Sequence, residues 1–566
     1  MTGKPASKTL LIYAEITGFS IHFITHIFFV SVKLRESEFF SVVGLADICL
    51  IFEVHQPFRL NRNFSLEVVK RRKIGIKDLE EIYFDQNLNR EIFMRVSERC
   101  YLPASKIILE QIDRFRYEKK PFKVSFSFSG VFLEQCERWN PDLLELFKQI
   151  IETGCVELLC QTYYHSLASL NNLDRSEFPE QIELHRQTIK ELFGYTPSVF
   201  ENTECLYNDE VARVAENLGF RAVVTEGADK ILGWMSPNYV YRADGSSISV
   251  LLRNYRLSDD IGFRFTSRDW DQYPLTADKY AMWLAHTPGQ VIVLFMDYET
   301  FGEHYWAESG ILEFLRWLPR ETSKWGNLCW STPSEIINKY PPSGVISVPP
   351  SDTISWADAE RDVSAWLGNP QQNTAFNRLN KIGLLVKDIN NPSLIRVWRY
   401  LQISDHFHYM CAKSGGSGLV HEHFNPYGNP MDAFIAYIDV LLDFEARCKV
   451  EAAKPETKYR RLLRRVSINE GFKFFYGLGM PTQLVANSLE ELYEILKNVS
   501  VKSIAFHMER GDFEKWISSV IGDDELASRI AGLPKIWNSG DEMRRALLRL
   551  LRERISELRK SGRVKG

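Results

Sequence analysis

Short apolar runs alternate with longer amphipathic ones from Asp47 to about Tyr340. The runs Ile48–Val54, Lys123–Phe128, Arg221–Thr225 and Val291–Met296 are brief, rich in β-formers and bounded by turn or polar residues, which predicts strands. Between them the spacing predicts helices. One opens at Asn208, a good N-cap, sets Val211, Val214, Ala215 and Leu218 on one face and stops at Gly219. Another opens at Thr332-Pro333-Ser334-Glu335, a capping box with proline at the first helical position. Sustained strand–helix alternation implies an α/β domain with a parallel sheet, closed into a barrel or left open.

Beyond Ser347 the strand runs stop. Residues 346–455 read as helices around Asp358–Leu367, Gln371–Val386, Pro392–Ala412 and Asn429–Arg447, with a Gly-, His- and Pro-rich loop at Ser414–Pro430. A charged linker, Lys454–Arg465, precedes a small α+β unit at 466–540, in which FKFFYGLG predicts a strand, SLEELYEILKNV a helix and KSIAFHM a second strand. Residues 541–566 hold a basic amphipathic helix with Leu547, Leu551, Ile555 and Leu558 on one face. Docking by that leucine face is preferred to nucleic-acid binding.

At the amino terminus, Leu10–Val32 is mostly apolar but contains Glu15, His22 and His26. A membrane span needs about 20 apolar residues, and a central acid costs about 2.5–3.5 kcal/mol on insertion scales. LADICLIFEVHQPF reads as the natural first strand of a domain. Residues 1–46 are therefore expected to be an extension, either a mis-assigned translation start, which is preferred, or a hydrophobic anchor.

Composition narrows the class. Of the 566 residues 45% are hydrophobic and 25% charged, as in a globular protein, and the net charge of -4 gives no general pull toward nucleic acid or membrane. Nine scattered cysteines without a C-x-x-C fit a reducing cytoplasm and argue against a disulfide framework or a zinc site.

Chemistry concentrates where strands should end. Glu53-Val54-His55-Gln56-Pro57 follows the first strand, and a His-Gln pair there can bond sugar hydroxyls. Gly154-Cys155-Val156-Glu157 leads to Tyr163-Tyr164-His165-Ser166. Phe200-Glu201-Asn202-Thr203-Glu204 sets two carboxylates three residues apart before a helix. The apolar strand Val291–Met296 delivers Asp297, then Glu299, Glu303 and His304. Such clustering raises at least one carboxyl pKa, as a general acid near neutrality requires. A divalent metal is the rival reading, but no second cluster has ligand spacing. Trp330-Ser331-Thr332-Pro333-Ser334-Glu335 leaves Trp330 free to face a substrate. The polar segment Arg253–Phe265, with Arg253 and Asp260 and flanked by Trp234 and Trp270, reads as a substrate loop.

Taken in order, HQP, GCVE, the Glu204 segment, the Asp297 segment and STPSE resemble glycoside hydrolase family 57, over roughly Ile48 to Tyr427. The resemblance implies an incomplete (β/α)7 barrel at 47–345 and an all-helical domain at 346–455 completing the active site. It implies retaining action on α-1,4-linked glucans, as an α-amylase or as a 4-α-glucanotransferase or branching-type transglycosylase, without metal or cofactor. It places the nucleophile on Glu204 and the acid/base on Asp297, with Glu299, His55 and Asp405 around them. Gln402-Ile403-Ser404-Asp405 resembles the family's Gln-x-x-Asp element; where the family commonly has Trp three residues on, this sequence has His408. Substrate contacts are expected from His55, Gln56, Glu157, His165, Trp234, Arg253, Asp260, Trp270, Glu299, His304, Trp330, Asp405 and His408. Two readings from other classes stand against this one. A non-catalytic carbohydrate-binding regulator predicts loss of Glu204 or Asp297, yet both are present. A metal-dependent deacetylase needs D-D and H-x-x-x-H elements, of which only Asp259-Asp260 exists. A cytoplasmic protein is expected that binds α-glucan but neither nucleic acid nor membrane, with homo-oligomerisation left open.

Overall fold

The structure, a computed structural model, describes residues 45–67, 74–413, 425–467, 469–534, 536 and 539–561. The apolar segment 10–32 and most of the Ser414–Pro430 loop lie outside those residues.

The chain is α/β with a mostly parallel central sheet. Strand β1, Ala46–Val54, is buried along its whole length. A strand covered on both faces reads as a nearly continuous apolar run, which is why ADICLIFEV lacks alternation. It pairs in parallel with β2 (Val124–Phe128) on one side and β8 (Val291–Asp297) on the other. From β2 the order continues through β3 (Val156–Leu158) and an isolated bridge, Cys160↔Phe200, to β4 (Val199–Glu201). It then passes to β5 (Ala222–Glu226) and β7 (Ser249–Arg253), which meets β8 through Arg253↔Val293. Seven parallel strands thus lie in one barrel-like circuit. The short strands β6 (Tyr241–Ala243) and β10 (Val345–Ile346) extend it beside β7. Strand β9, Leu328–Trp330, pairs with the start of β1, from Ala46 to Ile48.

The helical segment departs from its predicted boundaries in two useful ways. The helix expected at Asp358–Leu367 is confined to Ser364–Leu367, leaving 355–363 as a loop. The helix expected at Pro392–Ala412 is two, Pro392–Tyr400 and Ser404–His408, with a break that turns Ser404 and Asp405 toward the strand ends. Trp366, Trp398, Phe407 and Tyr437 of the helical segment share one core with helix Pro370–Ile389 and with Phe58, Leu60, Tyr83 and Phe84 from the β1–β2 connection. Gly383 permits this packing, because a Cβ there would sit 2.2 Å from the Trp398 ring.

In the C-terminal unit β11 (Phe472–Gly477) pairs antiparallel with β12 (Met480–Ala486). KSIAFHM, read as a strand, is instead within a helix, Val501–Arg510, whose N-terminus Ser500 caps. Its seven residues fit both periods, and the cap decides between them. Helix Gly540–Ser561 closes the same core with Leu547, Leu551, Ile555 and Leu558, all buried beside Phe472, Leu492 and Phe513. Among the described residues no helix is long and apolar enough to cross a membrane.

Candidate active site

Parallel strands end at a common level, so the residues closing β1, β2, β4 and β8 meet on one face. In register, Glu53 lies between Asp297 of β8 and Ser127 of β2.

Glu204 stands on a strained turn. After β4 the chain passes through Glu204 at φ 60° and Cys205 at φ 51°, the left-handed region. Such a residue costs of order 1–3 kcal/mol and persists only where its surroundings hold it. Here Thr225 Oγ1 donates to the Cys205 carbonyl at 2.9 Å, the Cys205 amide donates to Glu201 Oε1 at 3.4 Å, and Ser355 Oγ donates to the Glu204 carbonyl at 2.8 Å. The Glu204 carboxylate is fixed from both sides. Trp356 Nε1 donates to Oε2 at 2.8 Å, Ser404 Oγ donates to Oε1 at 2.9 Å, and His165 Nε2 lies 3.5 Å from Oε1. Burial would raise its pKa, but the donors and the His165 charge, with His408 further off, hold it below the ordinary glutamate value.

His165, also at positive φ (47°), is the hub. Its Nδ1 faces Gln161 Oε1 at 2.8 Å, and Gln161 Nε2 donates to Glu53 Oε1 at 2.7 Å and Ser127 Oγ at 2.9 Å. Burial opposes a charged imidazole, yet the bond to Glu204 and the surrounding carboxyls Glu53 and Asp405 raise its pKa to about 9. His55 stacks on it, with ring centroids 4.0 Å apart. Burial and the His165 charge lower His55 to about 4, so it stays neutral. His55 Nε2 bonds Asp405 at 3.0 Å and its Nδ1 bonds Ser129 Oγ at 2.7 Å. Despite burial, the two histidines hold Asp405 well below the usual aspartate range. Of this group Asp405 and Glu204 are the most open, with 24% and 17% of the side chain exposed against 4% for His165, so they offer the surface to a ligand.

Asp297 has the opposite environment. Burial, then the nearby negative charge of Glu204, raises it to about 7, against the lowering effect of His165 and Arg253. Glu299, two residues on, is buried and pushed up strongly by burial and by Asp297; Tyr101 donates its hydroxyl to it.

Several expected contacts lie elsewhere. Glu157 accepts from the Ser334 amide at 2.8 Å and its hydroxyl at 2.5 Å, so it caps a helix away from these strand ends. Trp330 is level with Ile48 at the start of β1, packs edge-on to Phe122 at 5.0 Å and donates Nε1 to Thr322. It is a core residue, because its indole nitrogen finds a partner inside. Trp270 packs on Trp283 at 6.0 Å. Asp260 accepts from Arg264 one turn on at 2.7 Å. Arg253 is buried and committed to Glu226, Asp259 and the Phe295 carbonyl. The loop read as binding substrate is therefore an ion network behind Trp356, over which Arg253 lies at 5.7 Å. Asp259 belongs to that network through Arg253 and Arg361, while Asp260 pairs with Arg264. Gln56 is buried, bonded by Arg59 at 3.2 Å and accepting at its carbonyl from Gln135. Trp234 is 94% exposed on the connection from Asp229–Leu232 to β6, outside the groups packed round Glu204. His304 is half-buried in the turn after Glu303, its amide donating to the Glu299 carbonyl. His408, by contrast, stays near the group: it lies 6.1 Å from the Trp366 ring and its charge helps to lower Glu204.

Glu53 and Ser404, which stand in the sequence motifs without a role of their own, and Gln161 and Trp356, which stand in none, also belong to the site. Glu53 left one signal, a carboxylate near the end of the apolar run Ile48–Phe52. The others became visible only when distant segments met. Among the described residues no three His, Cys, Asp or Glu side chains are grouped to hold a metal ion.

Comparison with known proteins gives an independent view. The sequence model for glycosyl hydrolase family 57 matches residues 49–349, and that for DUF5752, a family of unknown function, matches residues 454–552. A Methanocaldococcus jannaschii protein named "Putative alpha-amylase" is 48% identical over 414 residues, 72% of this chain and 85% of its own length. The 4-alpha-glucanotransferase of Thermococcus litoralis is 26% identical over 271 residues, 46% of this chain but 38% of its own. The crystal structure of 4-alpha-glucanotransferase from that organism superposes with a TM-score of 0.51 at 19% identity, covering 69% of this chain and 60% of that one, a likeness of fold. This chain thus spans less than two thirds of the glucanotransferase.

Proposed function

Because the chain belongs to glycosyl hydrolase family 57, and is accordingly a glycoside hydrolase or transglycosylase, we propose that it cleaves α-1,4-linked glucans by double displacement, with Glu204 as nucleophile and Asp297 as general acid/base. Glu204, kept ionised, attacks the anomeric carbon as Asp297 gives its proton to the departing oxygen. The glycosyl–Glu204 ester is then opened by water, whose proton returns to Asp297, and configuration is retained.

The observation carrying this reading is the opposed setting of two neighbouring acids. Glu204 is gripped by Trp356, Ser404 and His165 in its charged form, while Asp297 closes an apolar strand in the field of Glu204 and is held protonated to about pH 7. Two carboxyls whose surroundings push them apart in this way divide into nucleophile and acid. Asp405 and His55 line the same opening and would bond sugar hydroxyls. Hydrolysis is preferred to transfer, because the match to the amylase-named relative runs over most of both chains. Incubation with maltoheptaose followed by product sizing tests this: shorter products alone mean hydrolysis, longer and shorter together mean transfer. No change with any α-glucan overturns the proposal.

A further inference from the structure

Beneath Glu204 lies a second pair of acids that the double displacement does not use. Glu53 and Glu201 are buried, 2% and 0% exposed, on strands β1 and β4. One buried network joins their carboxyls: Gln161 Nε2 donates to Glu53 Oε1 and to Ser127 Oγ, and Ser127 Oγ donates to Glu201 Oε2. Two ionised carboxylates buried in one network repel each other, which favours a proton on one of them. Glu201 is supplied with other donors, Ser127 Oγ at 3.0 Å and the Cys205 amide. Glu53 accepts from Gln161 at Oε1, but no donor among the described residues reaches its Oε2. That is the oxygen expected to carry the proton.

We propose that Glu53 and Glu201 act as a single-proton unit which, through Gln161, fixes the charge and direction of His165 and thereby the setting of Glu204. Glu53 is a positioning residue; it acts through Gln161 and His165. The proposal rests on the assignment of Glu204 as nucleophile. His165 lies 3.5 Å from Glu204 at Nε2 and 3.5 Å from Glu53 at Nδ1. If Glu53 were ionised, it would compete with Glu204 for the imidazolium and add negative charge beside Asp297, its register partner. A neutral Glu53 leaves Glu204 as the favoured counter-ion. The ionisable groups facing this unit are Asp297 and Glu299 at the end of β8, Glu204 and Cys205 on the turn after β4, His55 after β1, and Asp405 from the helical domain.

The roles of the two acids are unequal, which makes the proposal testable on the whole protein. In Glu53→Gln the amide oxygen still accepts from Gln161 and the amide hydrogens donate to Glu201, reproducing the protonated acid. In Glu201→Gln the new amide donates to Glu53 and leaves it ionised. Glu201→Gln is expected to move the basic limb of kcat/KM on maltoheptaose upward by about one pH unit, while Glu53→Gln leaves it in place. Glu53→Leu is expected to lower kcat about tenfold with KM little changed, and Glu53→Gln to recover most of that loss. Histidine-selective 15N NMR gives a readout free of turnover: His165 stays charged at pH 7 in Glu53→Gln and titrates higher in Glu201→Gln. Identical pH profiles and identical His165 titrations in the two amide variants, or a Glu53→Leu protein with wild-type kcat, overturn the proposal. If Glu53→Leu does not fold, the amide pair alone decides. If no form turns over α-glucan, the nucleophile assignment fails, and the His165 titrations still judge the pair.

Discussion

The two ends of β1 use the same residue types to opposite purpose. At its start Asp47 is buried and bonded to Lys339 at 2.7 Å. Nearby, Glu157 is tied to the Ser334 amide and hydroxyl, and Glu335 to Lys123. Each acid there has its own donor or cation, and the arrangement joins strands to the helix after β9. At the other end Glu53, Glu201, Glu204, Asp297, Glu299 and Asp405 gather round two histidines, of which only His165 is raised in pKa. Acids outnumber cations, and protons must be shared. Locally satisfied charge gives stability, whereas charge left short of partners gives groups that change protonation near neutrality.

Substitutions at the two ends should separate these roles. The largest effect belongs to Glu204→Gln and Asp297→Asn, each expected to lower kcat at least about a thousandfold; retained turnover in either one reassigns the chemistry. The same Asp297→Asn change should raise the melting temperature at pH 8. A folded-state pKa of about 7 means that the native protein binds a proton more tightly than the unfolded chain, so stability falls as pH rises from the ordinary aspartate value through 7. Removing the acid removes that penalty.

Next comes pH itself. Activity should fall on the alkaline side as Asp297 loses its proton near pH 7, and on the acid side only where Glu204, held low, is finally protonated. A pH–rate profile in which kcat/KM keeps rising above pH 8 contradicts the assignment. Trp356→Phe keeps the ring but deletes the donor to Glu204, and about tenfold in kcat is expected to go. The smallest effect lies at the start of β1: Glu157→Gln should leave kcat as it is and cost about 1 kcal/mol in urea unfolding. A kcat loss there would return Glu157 to the active site and erase the contrast between the two ends.

Much of the scaffold was legible because burial on both faces demands unbroken apolar runs, as in Ile48–Val54 and Val291–Met296. Strands of three residues, such as β3 and β9, have too few positions to show a period. In the site, Asp297 ends such a run, whereas Glu204 stands three residues past the end of β4 and is singled out from Glu201 by the resemblance to family 57. Trp356, Ser404 and Gln161 could not be named, since nothing local distinguishes a loop tryptophan or a helix-start serine from its neighbours. The roles of Trp356 and Ser404 arise when segments some 150 to 200 residues from Glu204 meet at its carboxylate, and that of Gln161 when it meets Glu53, 108 residues away. Trp330 and Arg253 show the reverse error. They stood in suggestive places, but each had a buried partner that only the folded chain supplies.

The three-sided hold on Glu204 has a consequence for how activity is acquired. His165 belongs to the segment after β3, Trp356 to the loop after β10, and Ser404 to the helical domain. Glu204 is therefore oriented only after all three have docked, the last being beyond residue 400. In refolding from denaturant, turnover should return later than the burial of tryptophan fluorescence that follows barrel collapse. Enzymatic activity is in that sense a clock for assembly of the two domains.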